Sequence, residues 1–112
     1  MPMPMEGGGW PRVLKEFSRR NAGRRTRLES DDPELGAQWG ALDLHFRGAA
    51  YEPRYQRVEL MLSDACPADH LTHSVDLVTQ VDVQRDTRGR DATLRLAYPG
   101  GQTLLLLDPD AA

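Results

Sequence analysis

The spacing of hydrophobic positions changes once along this chain, and the change divides it in two. Trp10, Val13, Leu14 and Phe17 fall at i, i+3, i+4 and i+7, a spacing that gathers them on one side of an α-helix. Pro11 suits the first helical turn, where its missing N–H costs nothing. Gly23 can take the left-handed conformation that stops a helix. The spacing therefore predicts a helix over about residues 10–22. Its charged residues Arg12, Lys15, Glu16 and Arg19 lie mostly opposite the apolar stripe, as on any exposed helix face. On this reading either Arg19 or Arg20 can be replaced by alanine at little cost to stability. A helix this short is marginal alone in water, so the stripe must be part of a core.

Beyond Gly23 the period is two. Thr26 and Leu28 open a short strand. Leu42, Leu44 and Phe46 then alternate with Asp43, His45 and Arg47, and the two sets must point to opposite faces. Val58, Leu60 and Leu62 repeat the pattern, as do Leu71, His73 and Val75. Val81 and Val83 follow, then Leu94, Leu96 and Tyr98, then the leucines at 104–107. Turn formers separate these runs, in "SDDPELG", "DACPAD", "RDTRGRD" and "YPGGQ". Pro99-Gly100-Gly101 marks the clearest hairpin. Half-polar faces belong to an antiparallel sheet with one wet side. No helix–strand alternation follows residue 23, which argues against a parallel doubly wound sheet. The expected fold class is α+β, mainly β. One N-terminal helix should pack on a curved antiparallel sheet or small barrel of about six or seven strands. Residues 1–9 are Met, Pro, Glu, Gly and nothing bulky, and are expected to form a loose tail before a single domain spanning 10–112.

Composition narrows the functional classes. A chain of 112 residues, 39% hydrophobic and 28% charged, has the make-up of an ordinary globular domain. Its longest apolar run, Leu104 to Leu107, is far short of the ~20 residues that cross a bilayer. The opening "MPMPMEGGGW" has neither the basic nor the apolar region of a secretory leader. The single cysteine cannot form an internal disulfide. These features together read as a cytoplasmic protein. Isoleucine is absent, and all basic residues but Lys15 are arginine. That is the signature of a GC-rich genome, and it lowers the functional weight of any one arginine.

Candidate chemistry begins at "CPADHLTH", where Cys66, His70 and His73 recur with a Cys-x-x-x-His-x-x-His spacing. Thiolate and imidazole are zinc ligands, and a Cys–His pair is a possible nucleophile and base. The three residues share a side only in a helix. The alternation of Leu71, His73 and Val75 points instead to a Pro-containing turn running into a strand, with His70 and His73 on opposite faces. No metal or other cofactor is expected. The acids Asp31, Asp32, Asp108 and Asp110 flank prolines and read as turn formers.

The basic segment 12–27 has seven basic residues against one acid, a net +6 in a chain of −3. Such asymmetry can mark a phosphate-binding face. Arg19, Arg20, Arg24 and Arg25 are its candidate binding residues. The remaining residues must carry −9, which supplies internal partners and repels polyphosphate at range. Nucleic-acid binding is thereby disfavoured. Tyr51 and Tyr55 in "RGAAYEPRYQRVE" are further candidates, since tyrosine is enriched at interface hot spots. The alternative is a long surface loop whose tyrosines cover the edge of the core.

Three segments, "WPRVLKEFSRRNAG" (10–23), "DHLTHSV" (69–75) and "GGQTLLL" (100–106), resemble landmarks of a small bacterial family known only as a domain of unknown function. The resemblance spans nearly the whole chain. This chain departs from it at Asn21, where the family pattern has histidine, and at Val13, where it has an aromatic. The resemblance implies a compact cytoplasmic domain without an established activity, and it supplies no site residues. The sequence thus favours a non-enzymatic binding or protein-interaction module, self-associating through a sheet edge or face. A small metal- or thiol-dependent enzyme centred on Cys66, His70 and His73 is the alternative, and nucleic-acid binding through 12–27 the second.

Overall fold

The computed structural model describes residues 9–30, 44–63 and 70–108, with only the backbone of His70. Helix α1 spans Trp10–Asn21. Seven strands follow: β1 (Arg25–Ser30), β2 (Leu44–Glu52), β3 (Arg57–Ser63), β4 (His70–Val75), β5 (Gln80–Arg85), β6 (Asp91–Tyr98) and β7 (Gly101–Leu107). All paired neighbours are antiparallel, in the order β4-β3-β2-β1-β7-β6-β5. The α+β, mainly β reading therefore holds, with a curved open sheet rather than a closed barrel.

The curvature follows from chain length. Strands β4 and β5 lie at opposite edges, yet only residues 76–79 join them. Seven strands laid flat at ~4.8 Å would put the edges roughly 29 Å apart. The steps from Val75 to Gln80 reach at most ~18 Å. The sheet must curl until its edges face one another. Leu77 and Val78 N–H donate to the Tyr55 and Gln56 carbonyls (3.3 and 2.9 Å), and Thr79 N–H donates to Ala97 O (2.8 Å). The short connection thus bridges the open side, with Val78 fully buried beneath it.

Helix α1 fills the concave face. Its buried positions are Trp10, Leu14, Phe17 and Asn21, and Val13 lies at the rim, 36% exposed. The stripe therefore runs i, i+4, i+7, i+11 and ends on a polar residue. Phe17 meets Phe46 edge-on at 5.3 Å, and Trp10 meets Tyr51 at 5.2 Å, geometries that favour the ring quadrupoles. Around them close Leu28, Val58, Leu60, Leu62, Leu94, Leu96 and Leu105.

The helix also covers a strand edge. Among the described residues, strand β1 pairs with β2 at Arg25–His45 and Thr26–Leu44. Farther along β2, Gly23 N–H donates to Phe46 O (2.7 Å) and Phe46 N–H to Arg24 O (2.8 Å). Beyond the bulge at Arg47, Ala49 N–H donates to Ser18 Oγ (2.9 Å), whose hydroxyl lies 2.7 Å from Leu14 O. Backbone groups that an open sheet would leave bare are thereby met.

Two expectations change. Residues 48–52 belong to β2, and the connection to β3 is the short 3-10 turn Pro53–Tyr55 rather than a long loop. Tyr51 is consequently a half-buried strand residue against Trp10, while Tyr55 is exposed. The period-two signal was lost because the bulge between Phe46 and Gly48 shifts the alternation by one residue. The turn at Pro99–Gly100 is as expected, with Gly100 at φ +93°, a value only glycine adopts freely. Residues 1–8 of the tail expected at 1–9, together with Asp31, Asp32, Leu42, Asp43, Cys66 and Asp110, lie outside the described residues.

Phe17 is fully buried, so Phe17→Ala should lower stability by about 3–5 kcal/mol in urea unfolding. Arg19→Ala, on the exposed helix face, should change it by less than about 0.5 kcal/mol. An unchanged midpoint for Phe17→Ala would show that the helix does not belong to the core.

Candidate functional site

At the C-terminal end of α1 the basic segment meets the β5–β6 hairpin. Asn21, the last residue of the apolar stripe, cannot be buried without partners. Its amide donates to Phe17 O (2.9 Å) and to Asp91 Oδ2 (2.7 Å), and its Oδ1 accepts from Arg24 Nη1 (2.9 Å). Asp91, at the start of β6, has a side chain only 2% exposed. Its Oδ2 also accepts from Arg20 Nε (2.8 Å), and its Oδ1 from Arg85 Nε (3.2 Å) and Arg20 Nη2 (3.4 Å). Burial pushes the Asp91 carboxyl upward, but the hydrogen bonds from Arg20, Asn21 and Arg85 outweigh it and hold the group below the usual carboxylate range.

Arg24 ties the ensemble together from the start of β1. Its Nη1 reaches the Asp91 carbonyl (2.9 Å) and its Nη2 the Asp108 carbonyl at the end of β7 (3.0 Å). Its Nε is buried without an acceptor. Burial and the Arg90 guanidinium lower its pKa, while Asp91, Asp86 and Asp108 act the other way. Arg90 approaches from the hairpin turn, which Asp86 shapes by accepting from Arg88 N–H (2.8 Å) and Arg90 N–H (3.0 Å). Among the described residues the Arg90 side chain makes no hydrogen bond or ion pair.

Arg20, Asn21, Arg24, Arg85, Gly89, Arg90 and Asp91 together line an open cleft of about 380 Å³. Four arginines against one aspartate give this lining a net +3. Guanidinium is an acceptor-free fork of donors that holds its proton, and the one carboxylate is saturated. The arrangement can grip an anion. It offers no nucleophile or general base of its own.

Of the sequence candidates, the fold brings Arg20 and Arg24 into this cleft and leaves the others outside it. Arg19 stays on the exposed helix face, Arg25 is exposed on β1, and Tyr51 and Tyr55 lie at the β2–β3 end. Tyr55 has Arg57 above its ring at 5.0 Å. Arg20 is not the freely replaceable residue expected, because it is bonded to a buried carboxylate. His73 and the backbone of His70 both lie in β4. His73 is opposite Leu60 on the core face, half-buried, and burial lowers its pKa. Cys66 lies outside the described residues, and the helix that would align it with His70 and His73 is not formed at His70–Val75. Among the described residues no three His, Cys, Asp or Glu side chains cluster as metal ligands.

Asn21, Arg85, Arg90 and Asp91 escaped the sequence reading. "RDTRGRD" looked like a turn and nothing more. One signal was available: Asn21 continues the stripe as its eleventh step, and a buried asparagine implies a polar partner across the core.

The chain belongs to a family of unknown function (DUF5335), whose pattern it matches over residues 4–105. No curated protein and no solved structure matches it.

Asp91 should dominate the acid response of the fold. Its folded pKa lies below the unfolded value, so its stabilisation is complete above about pH 4 and is lost as pH falls through the folded value. Asp91→Asn should cost about 1–3 kcal/mol at pH 7, because the amide turns one buried acceptor into a donor facing Arg20 and Arg85, while water still solvates their half-exposed guanidinium groups. It should also flatten the fall in stability toward acid. Urea unfolding across a pH series measures both. An Asp91→Asn variant with the parental pH slope would contradict this assignment.

Proposed function

We propose that this protein is a non-enzymatic binding module whose arginine cleft holds the anionic group of a ligand. The observation that carries the reading is a surplus of donors. The one carboxylate in the cleft is already saturated, while Arg90 and the terminal nitrogens of Arg85 remain. Arg24 and Arg90 also repel one another, and a bound anion would relieve that repulsion. An anion held by several guanidinium donors gains charge-assisted hydrogen bonds about twice as strong as neutral ones. Multivalent anions such as sulfate or citrate should raise the melting temperature of the full chain at constant ionic strength, since a ligand bound only by the folded state stabilises it by mass action. Arg90→Ala, which removes no side-chain hydrogen bond among the described residues, should abolish the shift. Equal melting temperatures with and without these anions would sink the reading.

A second reading, self-association, is favoured by the contrast between the two sheet edges. The β5 edge is bulged between Gln84 and Arg85 and carries Asp82 and Arg85, both devices that discourage pairing. Strand β4, "HLTHSV", has no charged acid, lysine, arginine or proline, and among the described residues no strand pairs with its outer edge. A second copy adding antiparallel to β4 would complete it. Light scattering should then find a dimer that Thr72→Lys dissociates, whereas a parent chain that stays monomeric up to millimolar concentration removes this reading.

A further inference from the structure

We infer that the anion taken by the arginine cleft is a phosphate monoester carried on a small molecule, rather than a carboxylate or the backbone of a nucleic acid. This rests on the anion-binding reading above and narrows it.

The first ground is the direction of the donors. A planar carboxylate is satisfied by forks lying near its own plane, and Asp91 already takes the fork of Arg20 in that way. The cleft's cations come from three separate elements. Arg20 comes from the end of α1, Arg24 from the approach to β1, and Arg85 and Arg90 from the β5–β6 hairpin. Convergence from different directions suits a tetrahedral group with three terminal oxygens, each able to accept from a different arginine.

The second ground is charge. The lining carries +3, and the nearby Asp86 and Asp108 bring the local balance to +1. A dianion gains more from such a site than a monoanion does. Arg90 adds a guanidinium that makes no side-chain hydrogen bond among the described residues.

The third ground is shape. About 380 Å³ is room for roughly a dozen waters at ~30 Å³ each, the size of one phosphate on a compact carrier. A nucleic acid needs cations repeated along a surface. Here they converge on one cleft, while Arg19, Arg25 and Arg27 are exposed elsewhere on the helix and on β1. The chain's net charge of −3 further opposes a long polyanion.

The test uses the full chain and calorimetric titration with four probes at equal ionic strength: glucose 6-phosphate, sulfate, citrate and a single-stranded 20-mer oligonucleotide. Glucose 6-phosphate should bind most tightly. Arg90→Ala should weaken it about tenfold or more and Arg90→Lys less, because lysine keeps the charge but loses the fork. The pH profile adds an independent readout. A phosphate monoester loses its second charge near pH ~6, so its affinity should fall between pH 7.5 and 5. Sulfate affinity should stay flat, because sulfate keeps both charges throughout that range and the charged groups facing the cleft, Arg20, Arg24, Arg85, Arg90, Asp91, Asp86 and Asp108, include no histidine. Citrate binding as tightly as glucose 6-phosphate would overturn the phosphate assignment while leaving an anion site intact. Tighter binding of the oligonucleotide would overturn it in favour of a polymer. Absence of binding by all four probes would overturn both the inference and the reading beneath it.

Discussion

A buried carboxylate joins the two halves of this fold. Asp91 enters β6 seventy residues after Asn21 ends the helix, and the two meet at 2.7 Å. Desolvating an unpaired carboxylate costs several kcal/mol, so Asp91 can be buried only where donors are fixed in place to receive it. Those donors exist only when α1 lies across the concave face and the β5–β6 hairpin closes toward its end. The network therefore specifies one docking of helix on sheet, where the apolar stripe alone would tolerate small slides. Arg24 extends the constraint to the end of β7 by holding the Asp108 carbonyl. Four elements distant in sequence are thus registered by polar bonds around a single charge.

The apolar core supplies the drive that this network steers. A curled, open sheet of seven strands has two problems, an exposed concavity and bare backbone. Helix α1 addresses both. Its side chains Trp10, Leu14 and Phe17 fill the concavity, and Ser18 meets the Ala49 N–H where β1 no longer covers β2. The connection at 76–79 does the same for the open side, with Leu77 held at φ +60° and 55% exposed. A leucine in the left-handed region is strained, and the strain is tolerated because the five-step link between opposite edges has little freedom to do otherwise.

The fold class was legible because its signals are local. The helix showed itself by spacing and the strands by alternation, and both depend only on which side a residue faces. Tyr51 was misplaced because the bulge between Phe46 and Gly48 breaks the alternation that marks a strand. Strand order was not legible, since nothing in "GGQTLLLL" says that β7 lies beside β1 rather than at an edge. The site was half legible. Arg20 and Arg24 stood out as part of a charge cluster, yet the same logic promoted Arg19 and Arg25, which the cleft does not use. Charge runs record composition, whereas a site depends on which cations a distant segment brings together. Asp91 and Arg90 belong to that distant segment, and a hairpin turn gives no sign of what lies across from it.

The roles within the arginine cluster separate on physical grounds. Arg20 and Arg85 neutralise Asp91, and Arg24 satisfies carbonyls that would otherwise be bare near the end of the helix. Each has a structural reason to be basic. Arg90 stands apart. It lines the cleft, makes no side-chain hydrogen bond or ion pair among the described residues, and adds like charge beside Arg24, whose pKa burial already lowers. Its own charge is offset through space by Asp86, whose carboxylate accepts from the Arg90 backbone N–H. Arg20, Arg24 and Arg85 are committed to the fold by hydrogen bonds, and Arg90 is the one guanidinium of the four whose hydrogen-bonding capacity the described residues do not use.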